Sequence, residues 1–171
     1  MVTAAEMLSL ALFREGKHAQ AFPSFGSERM GAPVMAFCRA DDKPIRSREP
    51  VSEPDALIIQ DATLLHHVNL FQGLGPDGLV ILNTTKSLDE LGLRDELPGR
   101  RLHTLPATEI AREHLGRPVP NVVLIAALAA LSGILHLESI EGAVRAKFSG
   151  KVADANVRAA KVAWETVVAH A

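Results

Sequence analysis

Hydrophobic positions in this chain change period from one segment to the next, and the changes mark out its elements. From Thr3 to Arg14 the apolar residues fall at helical spacing, and Thr3 with Glu6 has the Thr-x-x-Glu form of a capping box, so a helix is expected almost from the first residue. Gly16 is a stop for it. HAQAF then suits a short strand, and PVMAFCRA alternates Val34, Ala36 and Cys38 against Met35, Phe37 and Arg39, the period of a second strand. A strand at Ala56 to Gln60, a helix around Thr63 to Leu70, a turn at Gly75 to Gly78 and a strand at Leu79 to Asn83 follow, then RLHTL as a strand and Ala107 to Leu115 as a helix. Pro118 and Pro120 restrict the residues before them, and everything beyond reads as helix.

Runs such as ALIIQD and LVILN are apolar enough to be covered on both faces, and the connections are short. An α/β fold is expected: a doubly wound, mostly parallel sheet flanked by helices, with a helical C-terminal part, all in one domain over residues 1–171. Ligands of such sheets sit beyond the carboxyl ends of the strands, which directs attention to Asp61 after LIIQ and to Asn83 with Thr84 after VIL. The stretch Val122 to Leu131, extended to Leu135, is shorter than the roughly 20 residues of a membrane span. A helix apolar on nearly every side is either the centre of a domain or is covered by a partner chain, and both readings stand at this point. Doubly wound domains open with a strand and a glycine-rich turn. This sequence starts inside the helix that would follow them, so a partner chain or an upstream segment is expected to supply them.

Composition narrows the function classes. Of 171 residues 47% are apolar and 22% charged, enough for one core and unlike a disordered chain. A net charge of −2 supplies no basic field for nucleic acid or an anionic membrane. With 4% aromatic residues and no Tyr, base-stacking platforms are disfavoured. Cys38 is the only cysteine, so neither an internal disulfide nor a cysteine-held zinc or iron–sulfur site can form, and with no secretory pattern a cytoplasmic setting is expected.

Three segments carry candidate chemistry. AFPSFGSERMGAP, residues 21–33, reads as a loop that Phe22 and Phe25 anchor while Gly26 and Gly31 allow positive torsions, presenting Ser24, Ser27 and Arg29 to a phosphate or an acyl carrier; the alternative is a long connection with incidental charge. Adjacent side chains on a helix diverge by about 100°, so His66 and His67 are poorly placed to share a metal. PIRSRE puts Arg46 and Arg48 on one side of an extended segment, fit for ion pairing or a phosphate, or simply a solvated strand edge. No Ser-His-Asp order, Gly-x-Ser-x-Gly elbow, Walker loop or acid–base carboxylate pair is present, so no catalytic residue and no metal ligand is assigned. Chemistry that needs an electron sink must come from a cofactor bound mainly elsewhere.

AFPSFGSERMGAPVMAFCRADDKPIRSR followed by EPDALIIQDATLL resembles the gamma subunit of pyruvate:ferredoxin oxidoreductase and related 2-oxoacid oxidoreductases. Supporting pieces are VTAAEMLSLALFREGKHAQAFPSFG, LNTTK and LGRPVPNVVLIAALAALSGILHLESIEGAVRAKF, in the same order and across essentially the whole chain. The resemblance implies a domain of the pyruvate/ketoisovalerate oxidoreductase gamma type, short at its N-terminus because relatives carry a strand and a Gly-Arg-Gly-Gly-Gln-Gly loop before the segment matching Val2 and Thr3. It also implies CoA-dependent oxidative decarboxylation of a 2-oxoacid, with pyruvate favoured over phenylglyoxylate, 2-oxoisovalerate or 2-oxoglutarate. Electrons would pass to ferredoxin, or to NAD through an added flavoprotein. Thiamine diphosphate with magnesium and the [4Fe-4S] clusters would belong mainly to the alpha, beta and delta subunits, in an enzyme of anaerobic metabolism. This chain would contribute CoA binding and assembly and would be inactive alone. By position Ser27, Glu28 and Arg29 match a loop that carries lysines and faces CoA in single-chain relatives. Glu28 departs from that pattern, so Arg29 is the cation expected on a CoA phosphate, with Ser27, Asn83 and Thr84 as hydrogen-bonding support. A purely structural interaction subunit, joined to a symmetry mate through the Val122 to Leu135 helix, is the alternative from a different class.

Overall fold

The computed structural model describes residues 1–24, 33–66 and 69–170. Helix α1 (Val2–Arg14) leads into an antiparallel hairpin of β1 (His18–Ser24) and β2 (Met35–Asp41). Strands β3 (Ala56–Ile59), β4 (Leu79–Asn83) and β5 (Arg101–Leu105) form a parallel sheet in that order, with the short helix α2 (Leu93–Glu96) between the last two. Helices α3 (Ala107–Leu115), α4 (Asn121–Ser132), α5 (Leu137–Lys147) and α6 (Gly150–Ala169) complete the chain. This is the expected α/β class with a helical C-terminal part, the hairpin forming a two-stranded sheet of its own.

Two cores lie on the two faces of the parallel sheet. On one, Leu79, Ile81 and Leu105 meet α1, α3, α4, α5 and α6. On the other, Val80, Leu82 and Ile59 are covered by Leu65 of a 3-10 turn, by Phe71 and Leu74 of the following loop and by Leu93 of α2. Alternation along β4 therefore feeds both layers, and every residue from Leu79 to Leu82 is buried.

Helix α4 occupies the centre of the first core. Val122 through Ala129 are all buried, under α6, α1, α5, α3 and β4, and the alanines among them let neighbouring helices approach closely. The partner-covered reading of this helix is thereby corrected: its apolar surface is consumed inside the domain and offers no face to a symmetry mate. Gly133, at φ 69°, ends it in the left-handed conformation and donates its amide to Ala129 O.

Other local expectations change as well. The Thr3–Glu6 capping box does not form, because the helix already begins at Val2 and Thr3 lies inside its first turn; Glu6 instead accepts from Lys147 Nζ at 2.8 Å. The helix expected at Thr63 to Leu70 is a 3-10 turn over Ala62–His66, started by Asp61, whose Oδ1 accepts from Thr63 N at 2.9 Å and Thr63 Oγ1 at 2.7 Å. His66 is exposed at its end, and His67 lies outside the described residues. Residues 43–50 form no strand. Arg39 pins them by donating to Ser47 O and Glu49 O, at 3.5 and 3.1 Å, and Arg46 and Arg48 are exposed.

Candidate functional site at the carboxyl edge of the parallel sheet

Parallel strands present their carboxyl ends together, here Gln60 and Asp61 after β3, Asn83 to Lys86 at the end of β4, and Pro106 to Thr108 after β5. The entry to α3 needs help. Pro106 occupies its N-cap position without a side-chain hydrogen bond, which leaves the first helical amides to find acceptors elsewhere. Asn83 supplies one: its Oδ1 accepts from Thr108 N at 3.1 Å, while its Nδ2 donates to Thr108 Oγ1 at 2.8 Å and to Gln60 O at 2.9 Å. One half-buried amide thus joins the end of β3, the end of β4 and the start of α3. Both Nδ2 hydrogens are spent in doing so.

Thr84 continues the ladder, donating its amide to Leu105 O at 3.0 Å. Its Oγ1 accepts from Lys86 N at 3.1 Å, which curls residues 84–86 into a turn and leaves the hydroxyl proton of Thr84 for another acceptor. Lys86 is exposed and forms no ion pair among the described residues. Ser87 and Glu90 then close the reciprocal hydrogen bonds of a capping box: Ser87 N donates to Glu90 Oε2 at 2.7 Å and Glu90 N donates to Ser87 Oγ at 3.2 Å. The Ser87 amide, then its hydroxyl, hold the Glu90 carboxyl below its ordinary range, as the Thr63 hydroxyl and then its amide do for Asp61. Both carboxylates are therefore charged at neutral pH.

Of the four expected site residues, Asn83 and Thr84 lie side by side on this edge, whereas Ser27 and Arg29 fall outside the described residues. The hairpin brackets those two. The strand expected over HAQAF runs on through Pro23 and Ser24, both expected in the loop, and Phe22 meets Phe37 across the hairpin with tilted rings and centroids 5.4 Å apart. Thr108 and Lys86 escaped the sequence reading. A Pro-Ala-Thr helix start with no cap of its own was the signal for the first, and the cation inside LNTTK for the second.

Beside the charged Asp61 and Glu90 carboxylates, the described residues of the edge offer neutral donors and the exposed Lys86 ammonium, groups able to hydrogen-bond an oxyanion. Cys38 does not fit a thiolate-held cluster: it is the chain's only cysteine, and burial pushes its thiol up to about 11. Among the described residues no group of three His, Cys, Asp or Glu side chains could hold a metal, and no helix is long and apolar enough to cross a membrane.

The fold is an α/β domain with a three-stranded parallel sheet and a helical C-terminal part, and residues 1–166 match the family model described as pyruvate ferredoxin/flavodoxin oxidoreductase. The chain belongs to that family of oxidoreductases. It is 47% identical over 167 residues to the pyruvate synthase subunit PorC of Methanocaldococcus jannaschii, covering 98% of this chain and 90% of that one. It is 45% identical over 164 residues to the pyruvate/ketoisovalerate oxidoreductases common subunit gamma of Pyrococcus furiosus, covering 96% and 89%. The crystal structure of pyruvate oxidoreductase subunit PORC from Thermotoga maritima superposes with a TM-score of 0.82 at 34% identity, over 96% of this chain and 88% of that one.

Proposed function

We propose that this chain is the gamma subunit of a multi-subunit, CoA-dependent 2-oxoacid:ferredoxin oxidoreductase that converts pyruvate, CoA and oxidised ferredoxin to acetyl-CoA, carbon dioxide and reduced ferredoxin. The observation that carries the reading is 47% identity across nearly the full length of a pyruvate synthase subunit. Thiamine diphosphate and the iron–sulfur clusters belong in this reading to the alpha, beta and delta chains, since the residues of this one do not suit a cluster.

This subunit's own contribution is to hold CoA. Arg29 offers a bidentate fork to a CoA phosphate, Ser27 and Thr84 donate hydroxyl hydrogen bonds, and Asn83 supports the edge on which Thr84 sits. Desolvating neutral donors costs less than desolvating further charges, so a long carrier can be positioned without burying unpaired ions. A second oxoacid is favoured by one particular observation: a relative 45% identical is named as a gamma subunit common to pyruvate and ketoisovalerate oxidoreductases. Selection of the oxoacid then lies on other chains.

The test is to purify the complex through a tag on this chain and follow ferredoxin reduction with pyruvate, 2-oxoisovalerate, phenylglyoxylate and 2-oxoglutarate in turn. Pyruvate turnover that requires CoA is expected. Recovery of the chain without any thiamine-binding partner, or turnover indifferent to CoA, would refute the reading.

A further inference from the structure

Among the described residues β5 is a terminal strand of the parallel sheet and pairs only with β4. Its phase is set at both ends: Arg101 N donates to Gly78 O at 3.1 Å, and Leu105 O accepts from Thr84 N at 3.0 Å. Peptide groups alternate in direction along a strand, so positions 101, 103 and 105 face β4 while the N–H and C=O groups of Leu102 and Thr104 face away from it. Among the described residues those outward groups have no backbone partner. Only an extended chain matches donors and acceptors at this spacing.

The same strand forms one wall of a cleft of about 440 Å³, lined by Arg101, His103, Ala130, Leu131 and Val168. Arg101 and His103 stand opposite Leu79 and Ile81, on the face of the sheet that meets the helices. Ala130 and Leu131 come from the end of α4, and Val168, 54% exposed, from the end of α6. Burial, and then the charge of Arg101, hold the His103 ring below its ordinary value, so at neutral pH Arg101 is the cation of the cleft. Its Nη2 donates to Leu131 O, and no carboxylate pairs with it among the described residues.

We propose that β5 is a docking edge for an extended segment of another polypeptide of the oxidoreductase, which adds as a strand beyond Leu102 and Thr104, sets an apolar side chain against Leu131 and Val168, and brings a carboxylate to Arg101. A second copy of this chain is the poorer occupant. Its own edge, RLHTL, contains no carboxylate, so Arg101 would stay unanswered across a symmetric pair. That the partner is another chain of the complex rests on the functional reading above.

Hydrogen–deuterium exchange of the Leu102 and Thr104 amides, in the chain alone and in the complex co-purified with it, tests the proposal. Both should exchange fast in the free chain and slow by at least about tenfold on assembly. Thr104→Pro removes one outward N–H and no bond to β4, a change edge strands tolerate, so the melting temperature of the chain should hold while recovery of the partner chains falls by about fivefold or more. Val168→Asp, on an exposed position, should do the same by placing a charge in the apolar part of the cleft. Equal exchange at both amides in the free and assembled states would overturn the docking edge while leaving the functional reading intact. Protection already present in a free dimer would assign the edge to a second copy and overturn it likewise. Failure of the unaltered chain to recruit any partner would bring down both.

Discussion

The centre of the helical layer and the carboxyl edge of the parallel sheet are built on opposite principles. Around α4 the chain uses Val, Leu, Ile and Ala with no polar side chain among the residues from Val122 to Leu131, and shape alone organises the packing. At the edge, the half-buried Asn83 makes three hydrogen bonds to two other segments, Thr84 closes a turn, and Lys86 is exposed. The first region tolerates little change in volume and does no chemistry. The second tolerates volume but not the loss of a donor, and its position is where a sheet of this kind binds. The packed core and the proposed binding edge are thus separate regions, and each can be attacked without the other.

The largest effect is expected in the core. Ile125→Ala, at a position 1% exposed, removes packed carbons from the middle of α4 and should cost about 2–5 kcal/mol, read as a lower midpoint in urea with an unchanged slope. Arg29→Ala should leave that midpoint alone and raise the KM for CoA by roughly tenfold or more, the loss of a charged hydrogen bond, with the KM for pyruvate unmoved; a parallel rise in both would place Arg29 in assembly instead. Asn83→Ala is the hybrid case that sharpens the separation: it leaves Thr108 N and Gln60 O short of a partner, at about 1–3 kcal/mol, and exchange at the first turn of α3 should speed up while α4 stays protected. Thr84→Val should raise the KM for CoA only about threefold, in line with a neutral hydrogen bond, and leave folding nearly untouched.

The smallest expected effect is a pH dependence at the rim of the helical layer. Glu15 is held below its ordinary value of 4.5, first by the His136 amide, which donates to it at 2.7 Å, and then by Ser139. A depressed carboxyl contributes stability that is complete above about 4.5 and is lost as pH falls through its folded value, so Glu15→Gln should lower stability slightly at neutral pH and flatten the acid limb of the curve, the two proteins converging at low pH. A difference that persists unchanged at low pH, or none at neutral pH, would contradict the assignment.

Legibility followed the range of the interactions. Strand and helix periods were readable because they are local: β1, β2, β4, β5 and α3 appear where alternation or helical spacing put them. The capping boxes show where that stops. Thr3 and Glu6 have the right letters, yet the helix starts one residue earlier and Lys147, 141 positions away, takes the carboxylate. Ser87 and Glu90 have the same spacing and do form the box, in a stretch with too little apolar period to attract notice. Asn83 was picked for its place at a strand end, but its partners, Gln60 and Thr108, lie 23 and 25 residues away and no spacing rule joins them.

From sequence alone came the α/β class, the strands and helices in their order, the unsuitability of a lone cysteine for a cluster, and the likeness to one oxidoreductase family, because period, composition and motif order are written along the chain and need no partner to be read. The tertiary structure decided that α4 is the centre of the domain, that Asn83 holds the carboxyl edge together, and that the outward groups of Leu102 and Thr104 have no backbone partner among the described residues. Each depends on which distant surfaces meet, and burial and hydrogen-bond satisfaction are set only when they do.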